Sequence, residues 1–249
     1  MPRQTFIYVL LLVASLLSHA TFADNWRALA RGIEYRDLGS SLLSPWSHIH
    51  VFRIDLKDNR LDLVTARDLS KTLASVNEFG YHSHALLSIN GGFFDQKNQP
   101  LGLRIGHHRQ HSPLKQISWW GIFYIKNQKA RISNHTHYEA DKQIDFAVQS
   151  GPRLLINGNI VTLREGFAER SALGITHDGH VIILVTQNSP MTTTALAKLL
   201  QSPAIQCKNA LNLDGGGSSQ LYAQMPSFKM NVHGFSNVSD AIIVKPIAS

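Results

Sequence analysis

Short apolar runs succeed one another along most of this chain, separated by glycine, asparagine, aspartate and other polar clusters. Enrichment in Ile, Val, Phe and Leu within short segments predicts strands. They fall at Ile49–Leu56, Leu61–Thr65, Ala85–Ile89, Gly121–Ile125, Ala130–Ser133 and Ile144–Val148. Five more follow at Arg153–Ile156, Ala172–Thr176, His180–Thr186, Gln220–Ala223 and Ala241–Val244. Asn157-Gly158 and Asp178-Gly179 predict two-residue hairpin turns, because both centre positions favour positive φ. Helical spacing is rare. Ser70 opens a predicted helix over Lys71–Phe79 that Gly80 ends, and a second runs over Thr192–Leu200 and stops before Pro203. The pattern is α+β: mixed, mostly antiparallel sheets with a few packed helices, in a single domain.

One turn interrupts this pattern in a way that points to chemistry. Asn212-Leu213-Asp214 is followed by Gly215-Gly216-Gly217-Ser218-Ser219. Three glycines weaken any regular element, so a compensating role is expected, either a tight turn or a backbone held open to a ligand. Asp214 is the first candidate for a base, a nucleophile or a metal ligand, and an Asx turn is its structural alternative. Gly215, Gly216 and Gly217 are candidates for an anion-binding nest of N–H groups. No lysine follows them, so this is not a nucleotide-binding loop of the Walker type. Ser88-Ile89-Asn90-Gly91-Gly92-Phe93-Phe94-Asp95 has the same character. Leu87–Gly92 can be laid over Leu211–Gly216, a weak internal repeat that would bring Asn90 and Asp214 to one place.

These strings, with Gly151-Pro152-Arg153 and Arg170-Ser171-Ala172-Leu173-Gly174-Ile175-Thr176 between them, resemble the phosphodiester glycosidase domain family. They occur in family order from Asn90 to Val244, and the chain is similar to short bacterial-type members. At Asn231–Asn237 it departs from the family pattern, which leads one to expect a basic residue before the last strand. The resemblance implies hydrolysis of a sugar-1-phosphodiester or a related glycosidic bond. It implies Asp214 as the catalytic carboxylate and Arg170 and Arg153 as forks for phosphate oxygens. Asn90, Gly91, Gly92 and Phe93 would contact sugar, with the Asn90 amide on a hydroxyl or steadying Asp214 and the Phe93 ring stacking or in the core. Ser218 would cap or hydrogen-bond ligand. Asp95 is the expected second carboxylate, with Glu165, Glu169 and Asp240 as rivals. A departing phosphodiester half is already a weak base, so one carboxylate with cationic stabilisation would suffice for cleavage.

Other readings stay open on residues alone. One is a non-catalytic envelope module that binds glycan or phosphosugar. Another is an esterase using Ser218 or Ser219, although the G-x-S-x-G elbow is absent. No cofactor is implied. A divalent cation on Asp214 with Asn90 or Asn212 oxygens is chemically compatible, without a calcium-loop signature. The 13 histidines include His107, His108 and His111 in a polar run, read as loop. Of Trp119 and Trp120, at most one is expected to face a given site.

Composition narrows the partners. The chain has 249 residues, a formal net charge of +7 and one cysteine, Cys207, read as a packing residue. A basic balance favours acidic partners such as a carbohydrate-phosphate substrate. The charge is scattered and no nucleic-acid motif is present, so nucleic acid is excluded as partner. Met1–Ala23, with Arg3 before an apolar stretch and small residues near its end, reads as a signal peptide. The remainder, residues 24–249 with a motif core over 85–245, is expected to be exported to the periplasm or beyond, with no stable membrane span after cleavage.

Overall fold

The computed structural model describes residues 26–247 apart from 40 and 42, so the predicted signal peptide lies outside the described residues. In chain order the strands are β1 (Arg27–Ala30), β2 (Ile33–Asp37), β3 (His48–Ile54), β4 (Asn59–Thr65), β5 (Leu87–Asn90), β6 (Arg104–Gly106), β7 (Arg109–Ser112), β8 (Gly121–Lys126) and β9 (Lys129–Ser133). They continue as β10 (Ile144–Ser150), β11 (Arg153–Ile156), β12 (Asn159–Ile160), β13 (Ser171–Thr176), β14 (Val181–Gln187), β15 (Cys207–Asn212), β16 (Leu221–Met225), β17 (Phe228–Val232) and β18 (Asp240–Pro246). Two helices, α1 (Val76–His82) and α2 (Thr193–Gln201), complete the set.

The strands form three sheets, ordered β1-β2-β3-β14-β13-β15-β11-β12, β7-β6-β10-β8-β9 and β17-β16-β5-β18-β4. Every pairing between these strands is antiparallel, in line with the mostly antiparallel sheets expected, and none is parallel, as the mixed part of that expectation would need. The inner faces of the sheets meet in one large core. Val181, Ile183 and Val185 of β14 point into it, as do Ile242 and Val244 of β18. Successive strand residues face opposite ways. Ile182 and Leu184 therefore face out, where α2 covers them with Leu196, Ala197 and Leu200. Ala241 and Ile243 likewise face Val76 and Phe79 of α1. The unbroken Val181–Val185 run is thus a strand buried on both faces. Leu196 and Leu200 are fully buried, each contributing about 1.5–3 kcal/mol of hydrophobic stabilisation.

Local chemistry sets the ends. Thr192 caps α2, its hydroxyl accepting from Ala195 N at 3.1 Å. The expected first helix is displaced along the chain. Residues 66–69 form a single 3-10 turn closed by Ser70 at φ 57, and α1 starts only after Ser75, whose capping box with Glu78 fixes its first turn. Asn157-Gly158 is the expected hairpin turn, with φ of 50 and 84. His107-His108 makes an equivalent turn between β6 and β7, with φ of 50 and 56, where a polar loop had been expected. No helix among the described residues is long and apolar enough to cross a membrane.

Candidate active site

The ends of β5 and β15 belong to different sheets yet meet. Asp214 N donates to Gly91 O at 3.3 Å, and Asn90 Nδ2 donates to Asp214 O at 2.8 Å. Asn90 Oδ1 accepts from Ser171 Oγ at 2.7 Å and from Gln220 N at 3.2 Å. Asn90 is wholly buried. Its amide is therefore a latch joining the two strand ends, which answers the alternative between a sugar contact and a support for Asp214 in favour of support.

The Asp214 side chain lines a cavity of about 730 Å3. Phe93, Trp119, Pro152, Arg170, Asn212 and Gly215 share its walls. Arg164 and Glu165 stand on the same rim. The carboxylate accepts from Gly215 N at 3.0 Å and from the Ser218 hydroxyl. Burial pushes its pKa above the ordinary carboxylate value; the two hydrogen bonds oppose this, Asp240 adds to it and Arg104 offsets it. Asp214 is thus a desolvated carboxylate held by two donors at the wall of an open cavity.

The glycine turn is shaped by its neighbours rather than by a bound anion. Gly216 has φ +60, and its N–H donates to Glu169 O at 2.8 Å. The Gly215 N–H faces Asp214's own carboxylate. The expected nest is therefore not formed at these two positions, since both donors already have protein acceptors. Gly217 lies behind the turn against Phe235 and Ser236, off the cavity wall.

Arg170 lines the same cavity as Asp214. Its Nε donates to Met191 O at 2.9 Å and its Nη2 to Gly166 O, which ties the 164–168 segment to the cavity wall. Burial lowers its pKa, while the Glu165 carboxylate works the other way. Arg153 does not line the cavity. Its stem packs under Gly121, burial lowers its pKa, and its Nε has no acceptor among the described residues. Asp95 is also placed elsewhere. Its Oδ1 accepts from Lys97 N at 2.8 Å and Gln99 N at 2.9 Å in a surface turn that faces a different cavity. This corrects the expectation of Asp95 as catalytic partner. Among its rivals, Glu165 is the carboxylate that shares the cavity with Asp214.

Gly91 and Gly92 are explained by an ion pair of which the sequence offered only Asp240, as a rival carboxylate. Arg104 and Asp240 form an ion pair at 3.0 Å with neither side chain exposed. A side chain at Gly91 would overlap Asp240 Oδ1, and one at Gly92 would press on the Arg104 guanidinium at 2.6 Å. Arg104 further donates to Gln149 O at 2.7 Å and Phe93 O at 3.1 Å, fixing the segment that carries the Phe93 ring to the cavity. A lone arginine in Leu103-Arg104-Ile105 offers no pattern that would mark it. Asn212 was named only as a metal-ligand option, yet it lines the cavity. Its Nδ2 donates to Gly151 O at 3.0 Å, and its buried Oδ1 has no donor among the described residues. Trp120 is buried and Trp119 is exposed at the cavity, as expected of an adjacent pair. Cys207 is buried and unpaired, its thiol pushed up by burial, consistent with packing.

Residues 83–245 match the sequence profile of the phosphodiester glycosidase family. The chain belongs to that family. It is 32% identical over 133 residues to an uncharacterised Escherichia coli K12 protein, YigE, an alignment covering 49% of this chain and 51% of the relative. The chain thus spans about half the length of the curated relative it matches. Two solved structures share its fold. A hypothetical protein from Synechocystis superposes with a TM-score of 0.61 at 16% identity, over 86% of this chain and 62% of the other. The catalytic domain of zebrafish N-acetylglucosamine-1-phosphodiester alpha-N-acetylglucosaminidase, auto-inhibited by its pro-peptide, superposes with a TM-score of 0.63 at 17% identity, over 85% and 81%.

Proposed function

We propose that this protein is an exported glycosidase that hydrolyses a sugar-1-phosphodiester, acting on carbohydrate joined to phosphate. The observation that carries the reading is the Asp214 carboxylate on the wall of a cavity shared with Arg170, in a chain of this family. The apolar faces of Phe93, Trp119 and Pro152 suit a sugar ring. Arg170, with the rim cation Arg164, suits the phosphate.

In this mechanism ionised Asp214 acts on water or directly at the anomeric carbon as the bond from that carbon to the phosphate ester oxygen breaks. The leaving phosphodiester half is stabilised by cationic charge already in place and needs no strong acid. Glu165 stands ready to position water. Its pKa is lowered, first by the Thr194 hydroxyl, so it is ionised and does not serve as a proton donor near neutrality.

Turnover of a panel of sugar-1-phosphodiesters by wild type and Asp214→Asn tests the proposal. Wild type is expected to turn over at least one member, and Asp214→Asn to lower kcat by about 10²–10⁴-fold. Tight binding without turnover by wild type would make the protein a binding module instead. Full activity of Asp214→Asn would remove Asp214 from the chemistry.

A further inference from the structure

A second cavity, of about 530 Å3, is lined by residues none of which line the Asp214 cavity. Three stretches wall it: residues 65–72 after β4, the Asp95–Leu101 turn, and residues 109–115 from β7 onward. Four cationic side chains stand on these walls, Arg67, Lys71, Arg109 and Lys115, against two carboxylates, Asp68 and Asp95. Both carboxylates are bound into local structure. Asp68 Oδ2 accepts from the backbone and the hydroxyl of Thr65, each at 2.8 Å, and Asp95 Oδ1 accepts from the two turn amides described above. Lys71 pairs with Glu78, outside the cavity, and Arg67 donates to the neutral amide of Gln99. Arg109 and Lys115 have no carboxylate partner among the described residues.

Cations on separate chain segments around a concave, solvent-filled recess repel one another unless an anion enters. The recess also presents hydroxyl and amide groups that hydrogen-bond oxyanions. We propose that this cleft is a binding site for a phosphate-bearing ligand, distinct from the Asp214 cavity. Arg109 and Lys115 supply the uncompensated charge, and Arg67 supplies a planar fork of donors from the facing segment. The cleft shares no lining residue with the Asp214 cavity and backs onto the buried Arg104–Asp240 pair. Ser239, on the cleft side, donates to Asp240 Oδ2 at 2.7 Å, and Leu101, also on the cleft side, offers its carbonyl to Arg104 at 3.2 Å. The phosphate belongs either to a free small molecule or to a phosphodiester polymer, and both present the same oxygens to these cations.

Titration with tripolyphosphate and with a poly(glycerol phosphate) chain, followed by amide shifts in NMR, separates the two sources. Saturable shifts in residues 67–72 and 109–115, at millimolar concentration or below, are expected with at least one probe. Response to both probes assigns the site to small phosphates, and response to the chain alone assigns it to a polymer. Arg109→Gln with Lys115→Gln, both at exposed positions, should weaken this binding by about tenfold, two charge-assisted contacts being lost. The same pair should leave turnover of a small sugar-1-phosphodiester unchanged, and Arg170→Gln should leave cleft binding unchanged. Absence of saturable binding by either probe overturns the proposal. So does binding that survives the double change and disappears in Arg170→Gln. The readout is binding, so it stands or falls separately from the chemistry assigned to Asp214.

Discussion

At Asp214, burial and function act in opposite directions. A carboxylate taken out of water holds its proton to higher pH, and two donors, from Ser218 and Gly215, only partly offset this. The folded protein therefore binds more protons than the unfolded chain between the ordinary carboxylate pKa and the raised one. Stability falls as pH rises through that window and is level above it. Asp214→Asn removes the group, so it is expected to be more stable than wild type near neutrality by about 0.5–2 kcal/mol. The difference should vanish at low pH, where both states of wild type are protonated. Thermal melts of the two proteins across pH check this, and equal melting at neutral pH would contradict it. In the same series kcat/KM of wild type should rise with pH as Asp214 ionises. Asp214 was legible because a carboxylate beside three glycines is rare in a strand-rich chain. The direction of the Asn90 amide was not, since a buried latch and a sugar contact call for the same residue type. Asp95 misled for a related reason: an aspartate after an apolar run serves equally as a turn acceptor, which is its place here.

The strands carry the clearest signal and the helices a weaker one. β14 and β18 are continuous apolar runs because helices cover their outer faces, and such runs are visible without a structure. β7, Arg109–Ser112, has no apolar residue and could be found only through its partner β6. For α1 the signal was present but misassigned. Ser70 and Ser75 both look like caps, and what separates them is the residue three positions on. Ser75 has Glu78, whose carboxylate accepts from the Ser75 backbone at 2.9 Å. Glu78 has its pKa lowered to about 2, first by its hydrogen bond from Lys71 and then by the Ser75 backbone. Ser75→Ala should cost about 0.5–2 kcal/mol of stability, typical of a lost helix cap. Ser70→Ala should cost less, because Ser70 closes a turn through its backbone N–H to Arg67 O. Urea denaturation of both variants compares them, and equal losses would remove Ser75 as the start of the helix.

At the scale of the molecule, the site depends on how three sheets are held together. Arg104 lies in β6, Asp240 in β18, and Gln149, whose carbonyl Arg104 also engages, in β10. One wholly buried ion pair thus bolts two five-stranded sheets together beside the ends of β5 and β15 that hold Asp214. Nothing in the local sequence reports this, because a buried charge is identified by a partner 136 residues away. The pair is not expected to contribute large net stability, since desolvating two charges offsets most of their attraction. Breaking it is another matter. Arg104→Met leaves Asp240 charged and buried, and should cost about 3–5 kcal/mol. Asp240→Leu leaves Arg104 equally exposed to that penalty. The two changes together remove both charges and should recover much of the loss, so the double variant is expected to be more stable than either single one. Its pocket would nonetheless lose the donor that holds the Phe93 carbonyl, while the raised Asp214 pKa, which comes first from burial, would be little changed because Asp240 and Arg104 act on it in opposite directions. A refolded double variant with poor turnover and an unshifted pH profile would show that the bolt serves the site more than the fold. Strictly additive losses in denaturation would instead show that the two side chains act on stability independently.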